Sequence, residues 1–173
     1  MLTLKFTTMK TIKYITVLLL ALSIFSACKP DELTPIGDPR NVVKQVAGTY
    51  TLTKVVQTDN DAVKKGFPYK TMDITKFYTG LKATFSVSAE GAPSTFTFTP
   101  AAGSNSIVTL ASGNWSVDNA DAPKVISLKN GTVTETIQLG AYTALDNNKL
   151  LLKIVRTSGA NTLITYDYEF AKN

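Results

Sequence analysis

The chain has no histidine and a single cysteine, Cys28, in 173 residues. Without imidazole, neither Ser-His-Asp nor Cys-His nucleophilic machinery can be built, and the usual zinc sites lose a principal ligand. One thiol cannot close an internal disulfide. No glycine-rich phosphate cradle is present. No run of basic residues follows Lys64-Lys65, and no basic stripe is interleaved with aromatics, so nucleic-acid binding has no electrostatic footprint. Asp59-Asn60-Asp61 begins like a calcium loop, but Val63, Lys64 and Lys65 stand where oxygen ligands are required. Paired carboxylates remain for acid–base work, as Asp118 with Asp121 or Asp167 with Glu169. The first pair flanks a turn signal and the second lies on the polar face of a strand pattern, which are ordinary places for acids. The expectation is a protein that is not an enzyme, with no cofactor and no metal.

Long apolar runs are missing too. The apolar stretch at residues 14–25 would rise only about 18 Å as a helix, against a hydrocarbon core of about 30 Å. It follows Lys5, Lys10 and Lys13 and ends in Phe25-Ser26-Ala27-Cys28, the arrangement of a cleavable export signal. The segment resembles the bacterial lipoprotein signal, which implies lipidation of Cys28 as the new N-terminus. Cys28 is followed by Lys29-Pro30-Asp31-Glu32. This is similar to the tag of Bacteroidetes-type lipoproteins that directs display on the outer face of the outer membrane; a charged linker facing the periplasm is the other reading. Pro30, Pro35, Gly37 and Pro39 make residues 28–41 a lipidated, proline-rich tether.

Removing residues 1–27 takes away three lysines and leaves 15 basic against 13 acidic residues, a net charge of +2. The remaining 146 residues suit one domain, placed at 42–173, with a core large enough to dispense with disulfides.

Within that domain the pattern alternates with period two. Leu81, Ala83, Phe85 and Val87 oppose Lys82, Thr84, Ser86 and Ser88; Phe96 and Phe98 sit among threonines; Ile164, Tyr166, Tyr168 and Phe170 oppose Leu163, Thr165, Asp167 and Glu169. Strands are expected at 48–56, 81–87, 95–99, 107–111, 114–117, 125–128, 132–139, 150–156 and 163–170. Asn130-Gly131 has the residues of a two-residue hairpin turn. Residues 59–80 exceed a hairpin loop, and Met72, Ile74, Phe77 and Tyr78 suggest a helical turn or lid. The fold class is all-β, an antiparallel meander of about eight strands closing as a barrel or stacking as a sandwich.

Gly48-Thr49-Tyr50 after Val42, Val43 and Val46, Asp73-Ile74-Thr75 with Phe77, and Gly113-Asn114-Trp115 with Asp118 and Pro123 carry a resemblance. Together these segments look like the lipocalin-like domains of Bacteroidetes lipoproteins. The resemblance implies a lipocalin-like barrel, held at the outer membrane by lipid on Cys28, with Arg156 set against the first-strand aromatic Tyr50.

Three charges fall in phase with apolar residues: Lys54 with Tyr50 and Leu52, Glu135 with Val133 and Ile137, and Arg156 with Leu152 and Ile154. Inside a barrel they would form a salt-bridged plug or a polar ligand site; at a rim they would meet solvent. With Tyr50, Trp115, Tyr166 and Tyr168 as stacking walls, they are the candidate lining of a site for a small apolar or amphipathic ligand. The competing expectation is a solid barrel whose surface meets another envelope protein or a polysaccharide.

Overall fold

The computed structural model describes residues 40–173. Cys28 and the signal and tether residues before position 40 lie outside the described residues. Two short helices and a strand accompany the first long strand: α1 (Val42–Val46), β1 (Gly48–Asp59), α2 (Asn60–Lys64) and β2 (Thr71–Asp73), followed by a 3-10 turn at Thr75–Tyr78. A meander follows: β3 (Lys82–Val87), β4 (Pro93–Thr99), β5 (Ser112–Val117), β6 (Val125–Asn130) and β7 (Val133–Leu139). Helix α3 (Thr143–Asp146) then leads to β8 (Lys149–Ser158) and β9 (Asn161–Lys172). The strands pair in the order β1-β3-β4-β5-β6-β7-β8-β9, every pair antiparallel, and β9 returns to β1. The result is a closed eight-stranded barrel of lipocalin-like type, with β2 as an extra strand along the far half of β1.

Alternation decides what the barrel contains. Tyr50, Leu52, Ala83, Phe85, Phe96, Phe98, Trp115, Ile126, Leu128, Ile137, Leu150, Leu152, Tyr168 and Phe170 are all buried in one cluster. Each such large side chain contributes about 1.5–3 kcal/mol by leaving water. Helix α1 closes one end. Its Val42, Val43 and Val46 are buried, Asn41 caps it by accepting from the Lys44 amide at 2.9 Å, and Tyr50 donates to the Gln45 and Val46 carbonyls at 3.0 Å each. At the other end Ile74 and Ile107 join the cluster from loops. The lumen is therefore packed with side chains.

Three sequence expectations are corrected. Residues 107–111 form no strand; they cross the open end as loop, held by Thr109 to Glu135. The turn between β6 and β7 is Gly131-Thr132, one residue later than expected. Only Gly131 has positive φ, 57°, the requirement of a loop with glycine at its first position. Strand β2 was invisible because Thr71, Met72 and Asp73 are all exposed and carry no buried face. The acids take structural roles. Asp118 accepts from the Lys124 and Val125 amides at 2.9 and 3.0 Å, which holds its carboxyl below the ordinary range, and Asp59 caps α2.

Candidate functional site

The candidate residues separate into three groups. Tyr50 and Trp115 are core. Tyr50 is 1% exposed and lies under α1, where burial pushes its hydroxyl up to about 12. Trp115 meets Phe85 edge-on at 5.3 Å, and its indole N–H donates to the Ser86 carbonyl at 2.7 Å. The ladder is interrupted at that carbonyl, because Phe85 pairs with Phe96 and Val87 with Pro93, which leaves one extra residue on β4 opposite Ser86.

Lys54 does not point inward. Leu52 pairs with Phe170 and Lys54 with Glu169, so Thr53 is an extra residue. One extra residue reverses the alternation. Val55 is buried in the place Lys54 was expected to take, and Lys54 is exposed on the outer wall. There it lines a hollow of about 340 Å³ whose neighbouring charges, Lys153 with Asp167, are already paired. The expected contact of Arg156 with Tyr50 is also absent. Arg156 pairs across β9 with Ile164, near the open end, and Lys172 occupies the Tyr50 ring face instead.

Glu135 and Arg156 lie at the open end, the rim position, with Tyr166 under the Arg156 guanidinium, whereas Tyr168 is 4% exposed and belongs to the core. Pairing between β7 and β8 is limited to Gln138 with Lys153 and Leu139 with Leu152, continued by Gly140 N–H donating to the Leu151 carbonyl at 2.8 Å. Beyond Gln138 the wall parts. The opening is a slot of about 420 Å³ bounded by Glu135 and Thr136 of β7, by Ile154, Val155 and Arg156 of β8, and by the crossing loop from Ser106 to Thr109.

The chemistry of the slot is mixed. Ile107 is 8% exposed and Ile154 is half-buried, giving it an apolar base. Glu135 accepts from the Thr109 amide at 3.2 and 3.1 Å and from the Thr109 hydroxyl, which ties the loop to β7. Arg156 lies 5.8 Å over the Tyr166 ring and has no carboxylate partner among the described residues. Tyr166 stacks on Tyr168 at 6.3 Å, and Tyr168 meets Tyr78 edge-on at 5.7 Å. Burial, then the hydrogen-bonded Tyr78 hydroxyl, raises Tyr168 above the ordinary tyrosine value. The Ser106 hydroxyl is buried and has no hydrogen-bond partner among the described residues.

Ser106, Ile107 and Ile154 were not singled out in the sequence as site residues. The only signal for the first two was the polar Ser104-Asn105-Ser106 run ahead of Ile107, which reads equally well as a turn before a strand. Among the described residues no group of histidine, cysteine and acidic side chains is arranged to hold a metal ion, and no helix is long and apolar enough to cross a membrane. No protein-family model matches the chain, and no curated protein matches it.

Proposed function

We propose that this protein is a lipid-tethered binding module of the cell envelope, anchored through Cys28 to the outer membrane, and that it takes a small amphipathic ligand in the slot between β7 and β8. The observation that carries this reading is the slot left where β7 and β8 part, with an apolar base at Ile107 and Ile154 and with Arg156, which has no carboxylate partner among the described residues, at its edge. A ligand site in the lumen is disfavoured, because Phe85, Phe96, Phe98, Trp115 and Phe170 already fill it.

Support for the tether comes from the sequence alone, through the basic start, the short apolar run and Ser26-Ala27 before Cys28. In the described domain the chain enters beside α1, where Arg40 donates to the Tyr142 carbonyl at 2.8 Å and pairs with Asp146. The slot lies at the opposite end of the barrel.

Both halves are testable. Mass spectrometry of the mature N-terminus is expected to find Cys28 acylated, and an unmodified Cys28 or a start elsewhere removes the tether. Anilinonaphthalene sulfonate, an amphipathic anion, is expected to shift the NMR resonances of Ile107, Thr136 and Ile154, with roughly tenfold weaker binding in Arg156→Ala. Shifts confined to other surfaces would remove the slot.

A further inference from the structure

The parted strands have a polarity that follows from the pairing that remains. Gly140 N–H donates to Leu151, so in β7 the even-numbered residues aim their backbone groups at β8; Leu139 N–H donates to the Lys124 carbonyl, so the odd-numbered ones face β6. The register of β7 with β8 extends this alternation back along β7, through Gln138 paired with Lys153. Thr136 and Thr134 therefore direct an amide and a carbonyl each across the slot, where β8 no longer pairs with them. On β8 the even-numbered residues face β9, as Lys172 N–H donating to Asn148 and the β8–β9 register require, so Val155 presents its amide and carbonyl from the opposite wall.

We infer that the slot accepts an extended peptide segment of another protein, added as a strand along the free edge of β7. This rests on the slot being the binding site and goes further by naming the class of ligand. A row of alternating donors and acceptors at strand spacing is matched by another backbone; an apolar molecule would cover these groups without satisfying them. The free edge from Val133 to Ile137 reads Val-Thr-Glu-Thr-Ile, with β-branched residues at four of five positions and no proline. Side chains give selectivity. Glu135 is held by Thr109, whereas Arg156 has no carboxylate partner among the described residues, so the favoured segment carries a carboxylate where it passes Arg156. The Arg156 charge at the parted edge also opposes indiscriminate pairing, because a segment with a lysine at that point would leave Arg156 facing a like charge.

The test uses the full chain in detergent and a blocked seven-residue peptide of alternating valine and threonine with glutamate at one end. Saturable binding is expected, with exchange of the Thr136 and Thr134 amides slowed at least tenfold. The same peptide N-methylated at alternate amides is expected to bind at least tenfold more weakly, and exchanging its glutamate for lysine is expected to weaken it similarly in the wild type but not in Arg156→Ala. Equal binding of the N-methylated peptide, protection at amides away from β7, or slowed Thr136 exchange caused by dimerisation of the chain without peptide would each overturn the inference. If anilinonaphthalene sulfonate shifts the slot residues while the peptide does not bind, the site stands and the peptide class falls; if neither binds, both fall.

Discussion

Lys172 lies across the face of Tyr50, its ammonium 5.6 Å from the ring centroid while it donates to the Ala47 carbonyl at 2.8 Å. One side chain from the last strand thus covers the first-strand aromatic and ties down the segment between α1 and β1. The family resemblance implied an arginine from the penultimate strand in that position; a lysine from the last strand fills it instead. Replacing Lys172 by Met keeps most of the stem and removes the charge, and is expected to cost about 1 kcal/mol, with Lys172→Arg close to wild type. Thermal unfolding of the three proteins measures this. Equal stability of the Met variant would show that the contact is made at no net gain.

The buried hydroxyl of Tyr50 makes stability depend on alkaline pH. Its value is raised from 10.0 to about 12 by burial, so the native state holds this proton more tightly than the unfolded chain. A raised value means that the contribution is complete below pH 10.0 and is lost as pH rises toward about 12. In Tyr50→Phe the bonds to the Gln45 and Val46 carbonyls disappear, and a loss of about 1–2 kcal/mol is expected at neutral pH. The variant is also expected to lose less stability than wild type between these two pH values. Parallel alkaline curves for the two proteins would rule out Tyr50 as the group responsible.

Most of the barrel was legible because burial on one face writes itself into the sequence as alternation. Phe85, Phe96, Phe98, Trp115 and Phe170 are all buried where the pattern put them. What was not legible depends on backbone events that leave no periodic trace. The extra residue at Thr53 reverses the faces of β1, so strict alternation from Tyr50 puts Lys54 on the wrong side. Ile107 is apolar and buried, but it reaches the core from a loop, and a short apolar run cannot reveal that. Glu135 and Arg156 were found as charges in apolar phase. Their meeting at a slot required knowing that β7 and β8 part company, which is a property of pairing and not of either strand.

Gly113 explains one of the short motifs on which the resemblance rested. A Cβ there would lie 2.2 Å from the Lys129 carbonyl oxygen and 3.1 Å from the Phe96 ring. Neither neighbour can move freely, since one is the backbone of β6 and the other a core aromatic. Gly113→Ala is therefore expected to push β5 from β6 at a cost of about 3 kcal/mol, the upper part of the usual range for overpacking. Denaturant unfolding measures the loss, and amide exchange at Asn114 and Ser116 locates it. A Gly113→Ala protein as stable as wild type would mean that β5 and β6 can separate without penalty.

Trp115 distinguishes a filled barrel from one with an open lumen. It is 3% exposed, packed edge-on against Phe85, with its N–H on the Ser86 carbonyl. Its emission is expected to be blue-shifted and poorly quenched by acrylamide. Trp115→Ala is expected to cost on the order of 3–5 kcal/mol, a large share of a domain's roughly 5–15 kcal/mol, whereas Trp115→Phe retains much of the packing and loses mainly the bond to Ser86. Because the slot is bounded by β7, β8 and the loop from Ser106, and Trp115 is not among its lining residues, Trp115→Phe is expected to bind a slot ligand as wild type does while Arg156→Ala does not. If instead Trp115→Phe weakens ligand binding in a folded protein and Arg156→Ala leaves it intact, the ligand enters the lumen, the core opens to admit it, and the slot is not the site.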